Sequence, residues 1–282
     1  ENEAEAHELA AVAWGRFPEA DAAVIARVRH LLLADTATTE DLMAVVQLEV
    51  INEHPRQVRR WLNLLRLHVG AEEFQEIMEV FEAQYAQLYA QLHIAPNTID
   101  RDDIRQMAVD ADDPRRRGLV AHFKLAHAIR MGGDKTIVEQ GRRWASSMAV
   151  RYPVLAARMY RELALSSLGT RNNAAAIRDS RSALVLSRKV AESIIVSEEH
   201  TDLETTASGP PKRLTQPEID AATTYSAALV YASKPEEAEK LCKTMYHRCH
   251  RTGRHRGSAA FLINRAIALH RLGQRKEAGD AL

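Results

Sequence analysis

Cys242, His247, Cys249 and His250 are the densest set of metal-ligating side chains in the chain. On a helix the two cysteines sit two turns apart on one face, about 10 Å along the axis, so they cannot both reach one tetrahedral ion without a kink. Their spacing matches no compact zinc module. Two buried small residues with surface histidines is the simpler reading. Gly132-Gly133-Asp134-Lys135-Thr136 has the composition of a phosphate loop but lacks the first glycine and a preceding strand. A helix stop followed by an Asp cap accounts for it. Arg56, Arg59 and Arg60 follow Glu53-His54-Pro55 between two helical segments, and in a helix-turn-helix they would contact phosphates. The same segment is rich in Leu and Val and holds Trp61, which favours core packing over DNA contact. There is no metal-protease His-Glu pair, nucleophile elbow or dinucleotide glycine signature. The sequence therefore implies no enzyme, no catalytic residue, no metal and no cofactor.

The elements that carry these residues are helical. Gly and Pro are scarce (12 and 9 of 282 residues) and 46% of residues are apolar, so a large helical core is affordable. Apolar positions recur with helical period at about 3–14, 20–34, 38–54, 56–69, 71–93, 101–111, 115–131, 135–150, 153–168, 173–196, 216–232, 234–251, 257–272 and 275–282. Thr38 with Asp41, Thr215 with Glu218 and Ser233 with Glu236 fit capping boxes. Pro217 and Pro235 suit first turns, and Gly70, Gly132, Gly169 and Gly273 suit helix ends. Phe74, Met78, Phe81, Tyr85, Leu88 and Leu92 form a heptad-like seam on helix 71–93. Such a seam either pairs two chains as a homodimer or packs inside its own bundle.

Charge is balanced at 38 acids and 38 bases, but residues 1–100 hold about ten more acids than bases. Lys243 to Lys276 contains no Asp or Glu, which favours an acidic partner over a basic one. Only two cysteines are present, which excludes a disulfide framework and suits a cytoplasmic location. No apolar run is long enough to span a bilayer, so no membrane partner is expected. Low aromatic content argues against a base-stacking platform and direct nucleic-acid contact. Two interruptions organise the chain. Ile94–Asp100 separates an N-terminal bundle (1–95) from a repeat array (100–282), and the polar, Pro/Gly-containing 197–214 reads as a mobile insertion.

The array shows itself at Ala260–Ala278, where Asn264, Leu272-Gly273 and Ala278 stand at the spacing of a tetratricopeptide repeat, which this unit resembles. Ser233 and Ala238 repeat the pattern forty residues upstream. Leu168-Gly169 with Ala176-Ile177 and Ala183-Leu184 gives a third unit, its turn two residues too long. The forty-residue period resembles the longer repeats in sensor domains of bacterial transcriptional regulators. That resemblance implies an all-α helical-hairpin solenoid, and a non-catalytic partner-binding or regulatory segment of a larger protein. The ligand it implies is a peptide, a protein segment or a small anionic effector; a constitutive interaction scaffold is the alternative. Because helix A lines the groove in this family, the resemblance places Tyr160, Thr224, Tyr231, Asn264 and Arg271 along it. The family's carboxylate-binding mode needs further cations on an earlier helix A, and the sequence pattern shows none. Replacing Asn264 by Ala and Arg271 by Glu is expected to abolish capture with little change in melting.

Overall fold

The computed structural model describes residues 2–16, 21–132, 135–198 and 214–282, and every regular element among them is helical. The chain divides into two compact units, 1–112 and 113–282. The sequence interruption at Ile94–Asp100 lies upstream of that division, and one helix, Arg101–Val109, separates the two positions.

The first unit holds α1 (Asn2–Trp14), α2 (Asp21–Leu33), α3 (Thr39–Ile51), α4 (Pro55–Val69), α5 (Ala71–Ile77), α6 (Phe81–Ile94) and α7 (Arg101–Val109). Thr38 and Asp41 form the expected reciprocal box at the start of α3. The apolar face of α4 (Val58, Trp61, Leu62 and Leu65) is buried, as core packing requires. The expected helix 71–93 is two helices. α5 stops at Ile77, Met78 caps it, and Val80 is extended (φ −79°, ψ 132°) before α6 starts. The break divides the heptad seam. Phe81, Tyr85, Leu88 and Leu92 are buried in the unit's own core, while Phe74 and Met78 are half-buried.

The second unit is a tetratricopeptide-like row of four helical hairpins. The first helices, called A here, are α8 (Pro114–Arg130), α10 (Pro153–Gly169), α12 (Gln216–Tyr231) and α14 (His255–Arg271). Their partners, the B helices, are α9 (Lys135–Met148), α11 (Asn173–Glu198), α13 (Pro235–Arg251) and α15 (Arg275–Asp280). Each A helix packs on its own B helix and on the next A helix. The expected insertion lies mostly at 199–213, outside the described residues, as do Gly133 and Asp134.

A left-handed residue ends every A helix: Gly132 (φ 102°), Arg171 (φ 59°), Ser233 (φ 58°) and Gly273 (φ 79°). This corrects two expectations. Gly169 ends α10 as expected, but the left-handed residue of the turn is Arg171 and not Gly169. Ser233 turns the chain instead of capping α13, whose cap Lys234 makes no side-chain cap bond. Thr215 does accept from the Glu218 amide, but the Glu218 carboxylate is drawn to arginines elsewhere. With Arg171 as reference the third unit needs no long turn. Ala176, Ala238 and Ala278 each stand five residues past the left-handed residue, and all three are buried.

The same count explains the cysteines. Nine residues past the turn lie Gly141, Ser180 and Cys242, all buried and all small. A Cβ added at Gly141 would sit 2.6 Å from Leu125 Cδ1, so helix B presses closely on helix A at this position. Cys249 falls on the same B-helix position as Met148 and Ser187. Burial pushes the Cys242 thiol up to about 11 and also raises that of Cys249. Both therefore serve as small core residues.

The turn residues give a stability test. A left-handed conformation costs an L-residue about 1–2 kcal/mol, partly offset by the unfolded-state entropy of the glycine that would replace it. Ser233→Gly and Arg171→Gly should each raise stability by about 0.5–1 kcal/mol in urea melts, and Gly273→Ala should lower it by a similar amount. Unchanged midpoints in all three would show that the turns are not under this constraint.

Candidate functional site

The repeat register, counted back from each left-handed residue, fixes what each A helix presents. Two residues before the turn stand Arg130, Gly169, Tyr231 and Arg271. Six before it stand Ala126, Leu165, Ala227 and Ile267, and ten before it His122, Arg161, Thr223 and Ile263. These positions follow one stripe along each helix. Leu165 is 43% exposed, Tyr231 62%, Ile263 52% and Ile267 42%, so the stripe offers apolar surface from α10 to α14.

Polar groups stitch neighbouring A helices beside that surface. Arg130 of α8 donates to Glu162 of α10, Nη1 to Oε2 at 3.0 Å. Arg161 of α10 donates to Asp220 of α12 at 3.2 Å. Asn264 of α14 donates to the Ser226 hydroxyl (2.8 Å) and the Thr223 carbonyl (3.3 Å) of α12. Arg271 donates to the Val230 carbonyl of α12. The B helices add a second row of joints: Arg142 to Asp179 at 3.0 Å and Arg188 to the buried Glu218 at 3.2 Å. Arg248 reaches Glu218 from α13, and Arg265 pairs with Glu239 at 3.0 Å. Part of the basic stretch 243–276 is thus tied to carboxylates.

Glu162 is the electrostatic centre of the first joint. Burial pushes its carboxyl up, but Arg130, Arg161 and His122 together outweigh burial and hold it below its usual 4.5. Arg158, one turn before it on α10, is itself buried.

The five residues expected to line a groove are placed as follows. Tyr231 is exposed on the stripe. Arg271 lies on it with its guanidinium bonded to the Val230 carbonyl. Asn264 lies beside the stripe, its amide turned to α12. Thr224 is buried and its hydroxyl donates to the Asp220 carbonyl of its own helix. Tyr160 is half-buried and packs between the cores on either side of α10. Once Arg171 is taken as the turn, Glu162 shares the register of Thr224 and Asn264. The two-residue slip on Gly169 had put Tyr160 there. The earlier cations that the sequence pattern did not show are Arg130, Arg158 and Arg161. Arg130 and Arg161 pair with acids 32 and 59 residues away, which leaves no local signal in the sequence.

No family model and no curated protein matches the chain. A solved structure that it resembles is a Signal Transduction ATPase with Numerous Domains (STAND) protein with a tetratricopeptide repeat sensor from Pyrococcus horikoshii. The two share 15% identity with a TM-score of 0.49, over 92% of this chain and 38% of that one. The chain therefore spans well under two thirds of that protein's length.

Removing Arg130 would strand the buried Glu162 carboxylate. Arg130→Met should cost about 3 kcal/mol in chemical denaturation. Because the folded-state value is depressed, the stabilisation is complete above the usual 4.5 and is lost as pH falls through the lower folded value. Between pH 5 and pH 3 the wild type should lose more stability than Arg130→Met. Parallel pH profiles for the two would remove Glu162 from the joint.

Proposed function

We propose that this chain is a non-catalytic binding segment of a larger regulatory protein, and that the A-helix stripe of residues 113–282 receives its partner. One observation carries the reading: three successive A helices in one register, α10, α12 and α14, keep Leu165, Tyr231, Ile263 and Ile267 exposed beside polar groups that are already satisfied. Exposed apolar side chains with a bonded polar border are the composition of a recognition surface. The partner is a peptide or protein segment, with an acidic one favoured by Arg271 and by the acid-free basic stretch Lys243–Lys276. A small anionic effector is the second form of the same reading. In a regulator, binding would alter packing between successive A helices, and so the array's curvature.

The neighbour's printed description, a tetratricopeptide repeat sensor in a signal-transduction ATPase, names the same kind of role for that protein. The support here is the register and exposure of this chain's own residues. A constitutive scaffold uses the same surface without a conformational response.

The geometry changes the choice of test variants. Asn264→Ala with Arg271→Glu would break bonds between α14 and α12, costing on the order of 1 kcal/mol each, so melting would not stay unchanged. Tyr231→Ala and Leu165→Glu alter exposed side chains only. On an array of immobilised peptides the pair should abolish binding at a melting temperature within a degree or two of wild type. Binding retained by the folded variant would place the recognition surface elsewhere. A ligand-induced change in scattering radius would mark a sensor; binding with no such change would mark a scaffold.

A further inference from the structure

The acidic first unit contains a cationic groove that the A-helix stripe does not account for. Two adjoining cavities, about 380 Å³ and 520 Å³, share Arg66, Phe74, Gln87 and Gln91 as walls. Together they run between α4 on one side and α5 and α6 on the other, within the size range of ligand sites. Arg59 and Asn63 line the first, and Asp103 stands in the second.

Three observations define the ligand. First, α4 has no acid in its length, and among the described residues the Arg59 and Arg66 guanidiniums have no hydrogen bond or ion pair. Most arginines lining the joints of the second unit are paired, so two free ones in a single groove are a distinct feature. Second, Arg59 and Arg66 are seven residues apart on one helix face, about 10 Å along the axis. In a polyproline II chain, three residues make one turn, so side chains three apart share a face and lie about 9 Å apart at roughly 3.1 Å each. Third, Gln87 on α6 and Asn63 on α4 are exposed amides without bonds of their own among the described residues, and each offers both donor and acceptor to a peptide backbone. Phe74 supplies a half-buried flat wall between them.

We propose that this groove binds an extended acidic peptide segment carrying two carboxylates three residues apart, one on Arg59 and one on Arg66. Charge-assisted bonds to guanidinium fix the register, and Asn63 and Gln87 bind the intervening backbone. Asp103 in the second cavity bars a further acid beyond Arg66. The flanks separate this ligand from nucleic acid. Glu72, Glu73, Glu76 and Glu79 stand exposed on and just after α5, the helix that supplies Phe74 to the groove, and a long continuous polyanion crossing that wall would meet their charge while a short peptide would not.

The test uses the whole chain and a fluorescein-labelled nonapeptide with two glutamates three residues apart in a Gly/Ser/Ala background, read by fluorescence anisotropy at low salt. The wild type should bind this peptide at least tenfold more tightly than the version with both glutamates replaced by glutamine, and more tightly than one with adjacent glutamates. Arg59→Gln and Arg66→Gln should each weaken binding about tenfold, the loss expected for a charge-assisted bond. Both arginines are exposed, so melting should not move. Gln87→Leu, which removes backbone contacts and no charge, should weaken acidic and adjacent-glutamate peptides alike. Tyr231→Ala with Leu165→Glu should leave all of this unchanged, which separates the groove from the A-helix stripe. Equal binding of the glutamate and glutamine peptides, or full binding by the double arginine variant, would overturn the proposal. A short DNA duplex that displaces the peptide and is itself lost with Arg59→Gln would overturn it in favour of nucleic acid.

Discussion

Each hairpin of the second unit depends on the chain reversing in one left-handed residue and then bringing helix B close enough to touch helix A. The two requirements are coupled. The reversal sets the start of helix B, and at one or both of the positions five and nine residues later the side chain that meets helix A is small. Ala176, Ala238 and Ala278 meet the first condition, and Gly141, Ser180 and Cys242 the second. A larger side chain would push the helices apart and misplace every joint between hairpins. Conformational strain at Arg171 and Ser233 is tolerated because close packing on both sides stabilises the turn by more than it costs.

Joints between hairpins follow from that packing. With helices A held side by side, residues facing the neighbouring A helix are shielded from water, and any polar group there must find a partner. The chain meets this with ion pairs at the first two joints, Arg130–Glu162 and Arg161–Asp220, and with neutral amide and backbone bonds at the third. Ion pairs at buried joints add little net stability over apolar packing. Their directional bonds do select one sliding position of helix on helix, which purely apolar ridges define less sharply. Glu218, held by Arg188 from α11 and Arg248 from α13, does the same for two B helices.

Much of this was legible in the sequence. Helical period, proline at first turns and the Thr38–Asp41 box located the helices within a few residues, because each is a local effect. The last repeat unit was legible because Gly273 is the residue a left-handed turn favours. The preceding units were harder for the same reason. Where Ser or Arg occupies the left-handed position, composition does not mark it, and the nearby Gly169 drew the register two residues early. That slip moved Tyr160 into the place of Glu162, and with it hid the cations on α8 and α10. The break at Met78–Val80 was illegible for another reason. Heptad spacing continues across it, since Phe74 and Met78 keep the phase of Phe81, and no Gly or Pro interrupts the run. Pairing of acids with bases on different helices, thirty or more residues apart, has no local signature.

The distinction between bonded and unbonded polar groups then decides where recognition can occur. In the second unit, Asn264, Arg161 and Arg130 look like ligand contacts by residue type, yet their hydrogen-bonding capacity is committed in large part to neighbouring helices. A partner that recruited them would have to replace those bonds, and so would loosen the joints it touched. This links binding on the A-helix stripe to the packing of hairpins without any dedicated hinge. It also makes the exposed Leu165, Tyr231, Ile263 and Ile267 the residues that can add affinity without disturbing a joint. Arg59 and Arg66 in the first unit stand at the opposite limit. Their charge is already exposed and uncommitted, so an anion gains attraction there while breaking no internal bond. Under the proposed function, capture on the stripe would therefore be coupled to the array's internal geometry, whereas capture in the α4 groove would be governed by charge and spacing.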